Sequence, residues 1–266
     1  MKKIFMALFL VIAVAVPCNA ASYNSATRVQ TVGEQLLTKN EIPASNIKFT
    51  VVSDSPNNSN FISTKVINVS SAELAFAGND NETAAVVAHE IGHIILGHSA
   101  RGKVMSLLQE NAGAEVTTSA QVQTFAQNYQ TTKEDKEADL VAVNLMVNAG
   151  YNPLAAIVVY TKQTGTYWDT IVGRPANAEK ALNIYDYIAY FYPAKLKAGY
   201  GCNEFRTFQE YAKGQIESRK SIKKLEQKNL KNYQKAQKKT ANSITKFKTR
   251  GGISGWDAVY GLLNAQ

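Results

Sequence analysis

The chain has little capacity for covalent cross-linking, because its 266 residues include only two cysteines. Cys18 lies in a segment that has the features of a secretory signal. Removal of that segment would leave Cys202 without an intramolecular partner. A disulfide-stapled scaffold is therefore excluded, and we expect one sizeable hydrophobic core, which a composition of 45% hydrophobic residues can supply.

Long hydrophobic runs are also missing. The apolar run from Ile4 to Val16 is shorter than the roughly 20 residues that a transmembrane helix needs, and no second span follows residue 20. Lys2 and Lys3 precede this run, and residues 18–20 form a small-x-small cleavage site. We therefore expect residues 1–20 to be a signal peptide and the chain to be exported to the periplasm, soluble after cleavage, with membrane association left open.

Histidine is scarce as well, and two of the three histidines lie in the string His89-Glu90-Ile91-Gly92-His93. On a helix, positions i and i+4 share one face, so both imidazoles can bind one cation while Glu90 approaches the water that the cation holds. The alternative is a pair of surface histidines beside an ion-paired glutamate. Asn79 and Glu82 form a capping-box pattern ahead of an apolar run, and this buried setting favours the metal site.

The remaining pattern predicts an α+β fold, mainly helical, with a small β-sheet beside the motif helix. The predicted elements are a helix over 26–37, strands over 47–52 and 63–70, a helix over 134–149 that ends at Gly150, and a helix over 153–160. Between them, the polar segment 99–131 is expected to form short helices or a mobile segment over the cleft.

Acidic residues are nearly absent from residues 211–250, where 13 lysines and arginines face only Glu217 and Glu226. This segment has a net charge of +11 and the whole chain +8, so the remainder sums to −3. The basic character is therefore regional. The segment is expected to be helical, with a thin apolar stripe formed by Ile222, Leu225, Leu230 and Tyr233. Two interpretations stay open: a solvated extension, or a basic surface for an anionic membrane or another envelope polymer; nucleic acid is not expected.

A catalytic zinc site needs a third protein ligand. His98 is the first candidate, but the metzincin spacing would require a histidine at position 99, which is Ser99. We therefore predict that His98 is a structural residue or one that supports a ligand from behind.

Three separated strings resemble one family of metallopeptidases. They are His89-Glu90-Ile91-Gly92-His93 with its extension to His98, Asp135-Lys136-Glu137-Ala138-Asp139, and Gly150-Tyr151-Asn152-Pro153. In this order they resemble the gluzincin family of the CAAX prenyl protease, HtpX and Oma type, and most of all its exported bacterial members. The resemblance covers residues 22 to 195 and implies a zincin fold.

The resemblance also implies roles for individual residues. His89 and His93 would hold one zinc ion per chain, Glu90 would be the general base, and Asp139 would orient a ligand imidazole. The family's ligand glutamate falls on Asp135, whose shorter side chain requires a closer helix; Glu134 or a water are the alternatives.

Two further positions depart from the family. Arg174 stands where many relatives have a histidine, and Lys180 where they often have an arginine. Because an arginine cannot act as a neutral ligand or as a proton donor, activity could be reduced or differently regulated.

Together these observations predict a metallopeptidase domain over 21–200 and a lysine-rich helical extension over 201–266. The expected function is a zinc endopeptidase of the bacterial cell envelope that cleaves misfolded or unassembled exported polypeptides. The alternative, motivated by Asp135, Arg174 and the basic extension, is a zinc-binding chaperone-like or adaptor protein with little or no proteolytic activity.

Overall fold

The computed structural model describes residues 26–53, 56, 58, 60–111, 120–163 and 175–264. The predicted signal segment and Arg174 lie outside these residues. The helices, numbered in chain order, are α1 (Ala26–Lys39), α2 (Phe61–Thr64), α3 (Ser71–Leu74), α4 (Asp80–Leu96), α5 (His98–Asn111), α6 (Ala120–Asn148), α7 (Leu154–Lys162), α8 (Pro175–Phe191), α9 (Pro193–Ala198), α10 (Asn203–Lys220), α11 (Lys223–Thr249) and α12 (Gly255–Asn264). The strands are β1 (Lys48–Val52) and β2 (Val66–Ser70).

Helix α4 carries the histidine motif, and it begins where the sequence predicts. The backbone of Asn79 is extended, and its Oδ1 accepts a hydrogen bond from the backbone N of Glu82 at 3.1 Å. The Glu82 carboxylate accepts in return from Asn79 Nδ2 and from the backbone N of Gly78. The first bond satisfies a backbone N–H that the first turn would otherwise leave unpaired, and the other two hold the Glu82 carboxylate at the cap. The helix ends at Gly97, whose φ of 67° suits glycine.

The motif helix lies inside the protein. Twelve of its 17 residues are buried, and it packs against α1, α6 and α7. Because most of this helix is buried, the side chains on the motif face are enclosed by protein. The burial confirms that the motif does not lie on a surface helix.

The sheet beside α4 consists of two parallel strands in which Phe49 is paired with Ile67. The prediction that the second strand begins at Ser63 is wrong, because residues 61–64 form the short helix α2. The hydroxyl groups of Ser63 and Thr64 both donate to the carbonyl oxygen of Asn60 at 3.0 Å. Such local bonds compete with strand pairing and favour a helical turn.

Helix α6 is much longer than predicted, since it begins at Ala120 rather than at Glu134. Residues 120–133 include four glutamines and two alanines, which favour a helix without requiring an apolar face. The C-terminal end agrees with the prediction: Gly150 has a φ of 87°, and the backbone N of Tyr151 bonds to the carbonyl oxygen of Met146.

The two long C-terminal helices pack on the same core as the motif helix. Phe205 and Phe208 of α10 and Phe247 of α11 are each at most 2% exposed and belong to one continuous hydrophobic cluster with α4 and α7. The predicted domain boundary at residue 200 stays a prediction.

Most of the predicted apolar stripe lies at the protein surface. Ile222, Leu225 and Leu230 are exposed, and only Tyr233 packs against the core. The first three lie at or near the start of α11, whereas Tyr233 lies further along the helix. In the part of the chain that the structure describes, no helix is both long and apolar enough to cross a membrane.

We expect Phe208→Ala to lower the free energy of unfolding by about 3–5 kcal/mol, because it removes a buried ring and leaves a cavity. Leu225→Ala is the matched control: that side chain is 37% exposed, so the change should stay within about 0.5 kcal/mol. Urea unfolding followed by circular dichroism measures both variants. Equal effects would mean that α10 does not share the core.

Candidate metal centre

His89 and His93 point their Nε2 atoms at each other across one turn of α4. The two atoms are 3.1 Å apart, and the ring planes are inclined by 70°. Their side chains are only 13% and 17% exposed. Two imidazole nitrogens at this distance need a proton or a cation between them, and they leave their other ring nitrogens for bonds to the protein.

Asp135 approaches the two histidines from α6. Its Oδ1 lies 3.5 Å from His93 Nε2, and one donor atom from each of the three residues lies within 4.8 Å of the others. Two imidazoles and one carboxylate are a donor set of catalytic zinc sites. The donors present here therefore fit a zinc ion, and the shorter side chain of Asp135 does not keep α6 too far away.

The second oxygen of Asp135 is held by Lys180 of α8. Lys180 Nζ lies 2.6 Å from Asp135 Oδ2, and its side chain is 13% exposed. The same Nζ lies 5.2 Å from the ring centroid of Tyr160, a distance at which a cation and an aromatic face attract each other. Asp135 thus offers one oxygen to the lysine and the other to the histidines.

Glu134, the alternative ligand, faces a different side of α6. Its carboxylate forms an ion pair with Arg101 of α5. One residue along a helix turns the side chain by about 100°, which accounts for the separation from Asp135. Of the two candidates, the structure brings Asp135 to the histidines and not Glu134.

Asp139, one turn after Asp135, holds His89 from behind. Its Oδ1 lies 2.8 Å from His89 Nδ1 and accepts a hydrogen bond from the Tyr160 hydroxyl at 2.7 Å. This bond favours the tautomer that keeps the Nε2 lone pair available to a cation. Burial lowers the pKa of His89, but the bond with Asp139 and the nearby carboxylates outweigh it and raise the pKa to about 9. The same negative charges favour a metal cation.

His98 supports His93 in a similar way. The Nδ1 atoms of the two rings are 3.0 Å apart, and His98 Nε2 lies 3.7 Å from Glu137 Oε2. The bond with His98, opposed by partial burial and reinforced by Lys239, lowers the pKa of Glu137 to about 2. His98 is therefore positioned as the supporting residue that the sequence predicts, and not as a third ligand.

Glu90 lies between the two histidines in sequence and is only 6% exposed. Asn58 Nδ2 donates a hydrogen bond to Glu90 Oε2 at 3.0 Å. Burial, partly offset by the charge of His89, raises the pKa of Glu90 to about 8. A cation held by the adjacent histidines would lower this pKa again, because an opposite charge favours the carboxylate.

Asn58 also bonds to strand β2. Its Oδ1 accepts from the backbone N of Asn68 at 2.8 Å, and its Nδ2 lies 3.3 Å from the carbonyl oxygen of the same residue. The carbonyl of Lys65 accepts from the backbone N of Lys48 on β1, so alternate residues of β2 face β1 and the backbone of Asn68 faces the opposite edge. The Asn58 amide therefore bonds to this edge as a neighbouring peptide group would.

The approach of α6 to α4 depends on Gly92, the residue before the second motif histidine. A Cβ atom at this position would lie 2.6 Å from the carbonyl oxygen of Ala138 and 3.2 Å from its Cα. Ala138 is the residue before Asp139, so this close contact sets the distance at which both aspartates reach the histidines.

Three residues of the site were not anticipated from the sequence. The sequence around Asn58 predicts only a turn, and no pattern near Tyr160 of α7 indicates that it belongs to a site. Gly92 does carry a signal, because an isolated glycine inside a helix commonly has a packing reason. Arg174, which the sequence marks as a departure, lies outside the described residues.

A mainly helical domain with two motif histidines, a carboxylate as the third donor and a buried glutamate has the arrangement of a metallopeptidase. The sequence model of peptidase family M48 matches residues 24–207, more than two thirds of the chain. The chain therefore belongs to peptidase family M48, as its motifs predict, and its mainly helical α+β zincin-like fold is confirmed. No curated protein and no solved structure matches the chain.

The third ligand can be tested by substitution. We expect Asp135→Ala to reduce zinc affinity by more than the roughly 10–100-fold that is typical of supporting residues, since it removes a donor and leaves the charge of Lys180 nearby. Glu134→Ala is the matched control one residue away and should bind zinc as the wild type does. Competition with a chromophoric chelator measures both. A larger loss in Glu134→Ala would identify Glu134 as the ligand.

The helix contact gives a second prediction. Gly92→Ala should force α4 and α6 apart, destabilise the fold by about 1–3 kcal/mol and weaken zinc binding at least tenfold, because ligand distances tolerate only about 0.2 Å. Gly102→Ala on α5 is the control, since nothing lies within 4 Å of a Cβ there. Chelator competition and thermal unfolding measure the two variants. Unchanged zinc affinity in Gly92→Ala would show that the contact does not set the ligand geometry.

Proposed function

We propose that this M48 metallopeptidase is a zinc-dependent endopeptidase of the bacterial cell envelope that cleaves misfolded or unassembled exported polypeptides. The observation that carries the proposal is the convergence of His89, His93 and Asp135 beside the buried carboxylate of Glu90. The envelope assignment rests on the signal-peptide features of residues 1–20, which only the sequence supplies.

The chemistry divides between the metal and the protein. A bound zinc ion supplies a Lewis acid and lowers the pKa of water toward about 7. His89, His93 and Asp135 would hold it, and Asp139 and His98 would keep the two rings oriented. Glu90 would accept the proton of the attacking water and return it to the amine that leaves.

The substrate would be recognised through its main chain. The outer edge of β2 lies beside Glu90, and its backbone at Asn68 already bonds to the amide of Asn58. An extended polypeptide that replaced this amide would add a strand to the sheet, which gives recognition with little sequence selectivity. Unfolded segments meet this requirement, because their backbone groups are not yet paired.

A second function is favoured by the pair between Lys180 and Asp135. This lysine takes one oxygen of the proposed third ligand at 2.6 Å and neutralises its charge. Metal activation would be weakened if that pair persists with zinc bound. The alternative is therefore a zinc-binding chaperone-like or adaptor protein that cuts slowly or not at all.

The partner proposed for the basic segment 211–250 is an anionic surface of the envelope, as its local charge of +11 suggests. Attraction of this kind is screened over about 8 Å at physiological ionic strength, so it should weaken with added salt.

The catalytic proposal predicts the behaviour of Glu90→Gln. The variant should keep its zinc but lose at least about 100-fold in the turnover of an unfolded substrate such as casein, because it removes the general base. The exposed Glu210→Gln is the control and should cleave normally. Turnover is followed with and without a chelator on the chain from residue 21 onward, which retains every described element.

Two results would contradict the proposal. Wild-type turnover in Glu90→Gln would remove this residue from the mechanism. A wild-type chain that carries one equivalent of zinc and shows no chelator-sensitive turnover would favour the adaptor function instead.

A further inference from the structure

Helix α12 presents an apolar face to solvent. Among residues 255–263, the exposed ones are Gly255, Ala258, Val259, Leu262 and Leu263. They follow the spacing i, i+3, i+4, i+7 and i+8, which defines one continuous face of a helix. Leu262 is 73% exposed, and Val259 and Leu263 are each 40% exposed.

The charged residue of α12 points the other way. Asp257 is 3% exposed and accepts hydrogen bonds from the backbone N and the hydroxyl of Ser254. Because Asp257 N also donates to the Ser254 hydroxyl, the two residues form a capping box at the start of the helix, and the exposed face is left without a charged side chain.

A basic cavity lies at the N-terminal end of this face. It has a volume of about 220 Å³ and is lined in part by Arg101, Lys239, Lys246, Arg250 and Trp256. Arg101 and Lys239 form ion pairs with acidic residues of α6. Lys246 and Arg250 take part in no ion pair within the described residues, so the cavity has a positive charge that is not neutralised.

The cavity and the apolar face adjoin each other at Gly255. The guanidinium Nη1 of Arg250 lies 2.9 Å from the position that a Cβ of Gly255 would occupy. Because Gly255 belongs to the exposed face, this cation borders it directly. Trp256 lines the cavity at the same end, as expected of an aromatic residue between an apolar layer and a charged one.

We propose that this surface docks on an anionic phospholipid membrane, with a headgroup phosphate in the basic cavity and the leucines below the headgroups. The inference deepens the anionic-surface part of the proposed function and assigns it to α12, Lys246 and Arg250. A cationic rim beside an apolar helix face is the composition of helices that lie in the membrane interface. A second copy of the chain would bring the same cations to the contact, so the charge favours a lipid.

Docking on this face would bring the outer edge of β2, where the substrate is proposed to bind, near the membrane. A Cβ of Gly261 in α12 would lie 3.8 Å from Ile62 Cδ1 in α2, and α2 leads directly into β2. Exported polypeptides that remain close to the membrane would then meet the strand beside Glu90.

The test measures binding of the chain from residue 21 onward to phosphatidylcholine vesicles with and without phosphatidylglycerol. Wild type should bind only the anionic vesicles, and binding should weaken with salt. Leu262→Ser/Leu263→Ser should reduce partitioning by roughly tenfold or more, because it removes the side chains that enter the bilayer. Lys246→Gln/Arg250→Gln should reduce it by about tenfold as well.

Matched control variants show whether binding depends on this site or only on the overall charge and exposed apolar surface of the chain. Ile222→Ser/Leu225→Ser replaces two exposed apolar residues elsewhere, and Lys223→Gln/Lys224→Gln removes two cations from the other end of α11. Both should bind within about twofold of wild type, apart from a small loss of long-range attraction. In a Trp168→Phe background, the emission of Trp256 should shift to the blue on anionic vesicles. Soluble glycerol phosphate should compete only weakly, because it can enter the cavity but lacks the acyl chains that contact the leucines.

Three outcomes would overturn the proposal. The first is an equal loss in the control variants, and the second is unchanged binding in Leu262→Ser/Leu263→Ser. The third is a wild-type dimer that this variant dissociates without any vesicle binding, which would assign the face to a second copy. Cleavage of soluble casein is a separate readout that none of these substitutions should alter, so failure of the peptidase proposal and failure of this one are distinguishable.

Discussion

The backbone contact between Gly92 and Ala138 fixes the distance between the two helices that build the site. Helix α4 contributes two histidines and α6 two aspartates, and none of the four can move independently because both helices are packed in the core. A side chain at position 92 would meet the carbonyl of Ala138 at 2.6 Å. Since an aspartate is shorter than the glutamate typical of the resemblance, this close approach is also what lets Asp135 reach His93.

Buried polar groups at the centre are compatible with the fold because they are linked in two chains of bonds. One chain of hydrogen bonds runs from Tyr160 through Asp139 to His89; in the other, His98 bonds to His93 and lies 3.7 Å from the Glu137 carboxylate. Unpaired, such groups would each cost about 1–3 kcal/mol or more, and a cation between the two Nε2 atoms completes both chains. The orientation of each motif imidazole is therefore set by the partner of its Nδ1 atom, which is Asp139 for His89 and His98 for His93.

Local sequence patterns predicted the motif helix and its cap, because both depend on residues within one or two turns. Asp135 is predicted as a ligand from the family resemblance. Helix geometry adds that Glu134, one residue earlier, points about 100° away from it. Asn58 could not be found in this way, since its partners Asn68 and Glu90 are brought to it only by the tertiary fold. The spacing of Ile222 and Leu225 predicts a helix face but not what that face contacts, which again only the tertiary fold decides.

The lysine-rich helix α11 is connected to the metal centre through a short path of contacts. Lys239 donates to Glu137 at 2.7 Å, Glu137 lies 3.7 Å from the buried His98, and His98 bonds to the ligand His93. The same lysine lines the basic cavity at the start of α12. An anion in that cavity would compete with Glu137 for Lys239, and the ion-pair contact between Glu137 and His98 would change with it. Lys239 of the basic helix is thus linked through Glu137 and His98 to His93, a proposed zinc ligand, and it also lines the cavity for which an anionic headgroup is proposed.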